Sequence, residues 1–154
     1  MNMEIQAALD VADETDSFLQ ITDVIYDKEA DIGYDALSEA EKTVFCIDGL
    51  LREMENGGFS QFVHHDIGAR IDDTLLALRN IKSKDVSPLF EKFLALFDGQ
   101  PVPRDEDDRI EMFESIENEQ ADVISSLDDD YYDTTENLVG LTLGYVSRHL
   151  KDFR

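Results

Sequence analysis

Apolar residues in this chain recur at three- and four-residue steps, the spacing that gathers side chains onto one side of an α-helix. Between 38 and 55, Val44, Ile47, Leu51 and Met54 form one stripe. Ile71, Leu75, Leu78 and Ile81 form a second, and Leu89, Phe90, Phe93, Leu94 and Phe97 a third. Ser38-Glu39-Ala40-Glu41 reads as a capping box, in which hydroxyl and carboxylate each satisfy a free amide at the helix start. Ser87-Pro88 reads as a cap with a first-turn proline, and Gly99-Gln100-Pro101-Val102-Pro103 stops the pattern. Beyond it, Ile110, Phe113, Ile124 and Leu127 predict a helix over about 105–127. Leu138, Leu141, Tyr145 and His149 predict the last one, entered through Thr134-Thr135. Two shorter helices are expected near 3–12 and 16–28, the second carrying Phe18, Ile21 and Ile25. With no period-2 strand and no repeat, the expectation is an all-α protein, one globular domain over 1–154 with six or seven helices.

Charge changes the picture. The 154 residues hold 36 acids and 13 bases, a formal net charge of −23. That balance argues against direct nucleic-acid binding, which needs a basic footprint, and against docking on anionic lipid. A hydrophobic content of 42% is too high for a disordered acidic tail. The acids are clustered: net −9 over 1–36, −4 over 37–100, −12 over 101–137 and +2 over 138–154. Self-repulsion favours spreading charge out, so the clustering invites a functional explanation, and a basic partner is its natural complement.

Other chemistry finds little footing. Cys46, the single cysteine, stands between Phe45 and Ile47 and reads as a small core residue. His64-His65-Asp66 is a weak metal candidate, because adjacent helical residues point apart, and His149 reads as a packed histidine. Asp128-Asp129-Asp130 lacks both the glycine and the final glutamate of a calcium loop. No catalytic residue, metal or cofactor is expected. No apolar run reaches membrane-spanning length, and Met1-Asn2-Met3-Glu4 opens no signal peptide, which predicts a soluble, cytoplasmic protein. Gly140-Leu141-Thr142-Leu143-Gly144 forms a small-x-x-x-small face suited to close helix packing, within the chain or across a dimer.

One string stands out: Glu53-Met54-Glu55-Asn56-Gly57-Gly58-Phe59-Ser60-Gln61-Phe62. Structurally it reads as a helix exit, with Asn56 ending the stripe, Gly57 in the left-handed position, Gly58 allowing a close backbone approach and Phe59 anchoring the next segment. The alternative is a ligand pocket lined by Glu53, Asn56 and Gln61.

This Glu-x-x-Asn-Gly-Gly-Phe-x-Gln-Phe string resembles the signature of the bacterial DNA mimic protein family, otherwise catalogued as a domain of unknown function. Tyr34-Asp35-Ala36-Leu37-Ser38, Leu75-Leu76-Ala77-Leu78 with Ile81, Leu127-Asp128-Asp129-Asp130-Tyr131-Tyr132 and Tyr145-Val146 resemble it too, from about residue 16 to the end. The chain departs from the family at Val63-His64-His65, where an asparagine is usual. The resemblance implies an all-helical dimer whose acidic surface stands in for DNA phosphates and occupies the DNA site of a transcription factor. Asp108, Glu111, Glu114 and Glu117 step by three, with Asp107 on the same face, as a row beside the buried stripe. Asp105, Glu106, Asp128, Asp129, Asp130 and Asp133 extend that acidic surface, the last four through the following loop. The expected function is a non-enzymatic DNA mimic bound to a basic DNA-binding protein. The alternatives are an immunity-type inhibitor of a basic toxin and a small-molecule binder using Glu53, Asn56 and Gln61. A solvated acidic face that only confers solubility is the plainer account of the same residues.

Overall fold

The computed structural model describes residues 2–154, which form eight α-helices and no strand among the described residues. They are α1 (Met3–Leu9), α2 (Glu14–Ile32), α3 (Glu39–Gly57), α4 (Phe59–His64), α5 (Ile71–Asn80), α6 (Val86–Ala95), α7 (Glu106–Asp133) and α8 (Leu138–Arg148). Short 3-10 turns occupy Tyr34–Ala36, Asp66–Arg70 and Leu150–Asp152.

Local chemistry explains most boundaries. Asn2 and Asp13 cap α1 and α2 through their side chains. The capping box of α3 is formed: Ser38 Oγ accepts the Glu41 N–H at 3.1 Å, and Glu41 Oε1 accepts the Ser38 N–H at 2.8 Å. The helix beyond the expected count is α4, whose six residues are too few to show a period. Three expectations are corrected. Ser87 and Pro88 lie inside the first turn of α6, and Glu136 supplies the caps there from outside the helix. Asn137, not Thr134-Thr135, caps α8 by accepting the Gly140 N–H. Helix α7 continues to Asp133, so Asp128, Asp129, Asp130 and Asp133 belong to a helix and not to a loop.

Helix α3 is the central strut, packed on α2, α4, α5 and α8, with Val44, Ile47, Leu50 and Met54 fully buried and Leu51 only half-buried. Where α4, α6 and α7 meet, Phe59, Phe62, Phe90, Phe93, Phe97 and Phe113 form an aromatic cluster, with Phe59 and Phe93 stacked at 4.5 Å. The two acidic segments rest on different supports: α2 on α1, α3 and α8, and α7 on α4 and α6. No helix among the described residues is long and apolar enough to cross a membrane.

Candidate functional site

Helix α7 holds twelve acids and one base, Arg109. Like charges three and four apart on a helix repel by a few tenths of a kcal/mol per pair, so this helix needs external support. Its inner face supplies some through Phe113, Ile124 and Leu127. The rest comes from polar bonds to the motif segment. Arg109, 1% exposed, donates from Nε to Val63 O at 2.8 Å, from Nη1 to Arg104 O at 2.8 Å and from Nη2 to His65 O at 3.1 Å. Glu117 accepts from Ser60 Oγ at 2.8 Å, Asp128 accepts the Phe59 N–H at 2.9 Å, and the Tyr132 hydroxyl donates to Met54 O. Moving up α7, the partners move down the motif, so α4 lies beneath α7 as an antiparallel splint. The helix departs from helical geometry at Gln120, between the Glu117 and Asp128 attachments.

This arrangement accounts for much of the motif. Gly57 is the last residue of α3, and the left-handed position expected for it falls to Gly58, at φ +84°. A Cβ on Gly58 would lie 2.6 Å from the Asp128 carboxylate, so the second glycine is what admits Asp128 to the Phe59 amide. Burial raises the Asp128 pKa above the ordinary 3.8, the Phe59 N–H opposes the shift and Asp129 adds to it. Phe59 is fully buried, as expected.

The acids of 101–137 therefore divide. Glu117, Asp128 and Glu136 turn inward. Glu136 accepts from Ser83 Oγ and from the N–H groups of Lys84, Asp85 and Val86. Against the cost of burial, these four donors hold its pKa below the ordinary 4.5. The other eleven are exposed: Asp105, Glu106, Asp107, Asp108, Glu111, Glu114, Glu119, Asp122, Asp129, Asp130 and Asp133. None of them lies within 4 Å of a basic group among the described residues. Asp107, Asp108, Glu111 and Glu114 fall opposite the buried stripe before the kink; Asp122, Asp129 and Asp133 do so after it. From Asp105 to Asp133 the helix runs roughly 42 Å at about 1.5 Å per residue. The seven on the outer face give about one charge per 6 Å, roughly half the linear density of a single DNA strand at roughly 3.4 Å per phosphate.

The remaining motif residues gather elsewhere. Gln61 Nε2 lies 2.8 Å from His65 Nε2, and Glu53 Oε2 lies 3.1 Å from His65 Nδ1. Asn56 is exposed and stands apart from both. Glu53, His64 and His65 line a cleft of about 740 Å³ between α3, the segment after α4 and the start of α7. No group of three metal-ligating side chains is present among the described residues. Cys46 is fully buried 3.4 Å from the Tyr34 hydroxyl, and burial pushes its thiol up to about 11. His149 stacks on Tyr145 at 4.1 Å. Gly140 lies under the side chains of Asn137 and Glu14.

The fold and its outer face define an all-helical acidic protein that displays a braced row of unpaired carboxylates. It belongs to the DMP19-like protein family, whose model matches residues 35–149, about three quarters of the chain. This is a DNA mimic protein family, so its partners are proteins that bind DNA. The match takes in the motif and α7 and leaves α1 and α2 outside. No curated protein and no solved structure matches the chain.

Proposed function

We propose that the outer face of α7 occupies the DNA site of a basic DNA-binding protein, without catalysing a reaction. The observation that carries this reading is the line of seven exposed carboxylates on the outer face of α7, none of them within 4 Å of a basic group among the described residues. Its placement supports a role other than folding. Asp129, Asp130 and Asp133 stand at the C-terminal end of α7, where the helix dipole is negative and opposes them. A solubility face gains nothing from that position. One helix supplies one row, and a homodimer would supply the second row of a duplex.

Capture of a DNA-binding protein at low salt, with displacement of its labelled DNA, tests the reading. Reversing Asp108, Glu111 and Glu114 to lysine is expected to abolish both while leaving the helical circular dichroism unchanged. A captured protein that still holds its DNA, or capture that persists in the triple variant, overturns it.

A further inference from the structure

The cleft beside the motif touches the acidic segment only at Glu106, and it gathers several arginines in a chain that is otherwise strongly acidic. Four of the chain's seven arginines line it: Arg52, Arg70, Arg104 and Arg109. Among 36 acids and 13 bases, a guanidinium would ordinarily be saturated by carboxylates. Here Arg104 has no carboxylate within 4 Å among the described residues. Arg70 reaches only Asp35, at 3.8 Å, while its guanidinium lies 4.0 Å from the centre of the Tyr34 ring. Arg52 meets Asp48 through Nε at 3.0 Å and stacks over Tyr26 at 4.9 Å. Aromatic faces hold Arg52 and Arg70 in place while leaving donors of each fork free for an oxyanion.

The same cleft holds the complementary deficit. Glu53 Oε2 is shielded from solvent and accepts no hydrogen bond, although His65 Nδ1 lies 3.1 Å away. A buried carboxylate oxygen left in this state is costly, and an N–H donor would relieve it. The formal charges of the lining cancel, with Glu29, Glu53, Asp66 and Glu106 against the four arginines. A simple anion would gain little from such balanced walls, whereas a ligand bearing both charges matches them.

We propose that this cleft binds a small zwitterion of the amino-acid type, its carboxylate on the free arginine forks and its ammonium on Glu53. The volume of about 740 Å³ admits an amino acid with a large side chain or a dipeptide.

The test titrates the full chain with the proteinogenic amino acids and representative dipeptides at millimolar concentration, following the amide NMR signals of the cleft. At least one is expected to bind, and its deaminated analogue, which keeps the carboxylate, is expected to bind about tenfold more weakly or worse. Glu53→Gln is expected to weaken binding to a similar degree. Arg104→Gln, at an exposed side chain with no bond of its own to lose, provides a folded second variant with the same expected loss. Absence of binding across the panel, equal binding of the deaminated analogue, or unchanged binding by Arg104→Gln overturns the proposal.

Discussion

Arg109 is the residue on which the start of α7 depends. Its carbonyl partners come from two stretches of chain, 63–65 and 103–104, and no carboxylate neutralises it within 4 Å among the described residues. Gly68 makes room for it: a Cβ there would stand 2.6 Å from Val63 O and 2.8 Å from Arg109 Nε. Backbone and a guanidinium held by several carbonyls yield little, so Gly68→Ala is expected to cost about 2 kcal/mol, read as a lower urea midpoint with unchanged slope. Glu136 is a second such residue, and its pH dependence has a definite sign. Its folded pKa lies below the ordinary 4.5, so its contribution is complete above that value and is lost as pH falls through the folded pKa. Glu136→Gln is therefore expected to destabilise by about 1–2 kcal/mol at neutral pH, and the gap to wild type should close on acidification below 4.5. Sequence spacing half-reveals these inward acids. Glu117 is four residues from Phe113, and Asp128 is four from Ile124, both in phase with the buried stripe. Glu136 gives no such signal, because its partners lie about fifty residues away in sequence.

At the scale of elements, the long helices and the capping box were legible because local periodicity and local hydrogen bonds specify them. Helix α4 and the caps from Glu136 and Asp128 were not, because tertiary contacts create them. The same distinction explains the motif: its glycines could be read as a helix exit, but the residue that Gly58 admits, Asp128, lies seventy positions downstream. The end of α7 offers the sharpest test of purpose. Each charge beside a helix terminus is worth about 0.3–1 kcal/mol, so replacing Asp129 and Asp130 together by lysine is expected to stabilise the fold by about 1 kcal/mol. The same double variant is expected to lose affinity for the captured protein. Thermal denaturation and a binding titration on one sample separate the two effects. If the variant were both more stable and equally competent in capture, these aspartates would have no place in the binding face.

For the whole molecule, a net charge of −23 strains the folded state and drives association with a basic partner, and salt screens both. Adding sodium chloride from low to physiological strength is expected to raise the midpoint of thermal unfolding while steeply weakening capture. A parallel rise in both would place the binding energy outside the charges. The acids of α2 also contribute to this total, but they lie on another support and outside the matched family span, and the proposed contacts are those of α7.

The splint under α7 has a consequence for the thermodynamics of capture. A disordered acidic tail of equal charge would surrender its chain entropy each time it met a partner. Here that ordering is completed during folding, by Arg109, Glu117, Asp128 and Tyr132 on the motif segment. The encounter then has only ions and water to rearrange on this side, and the carboxylates keep their separations whether a partner is present or absent.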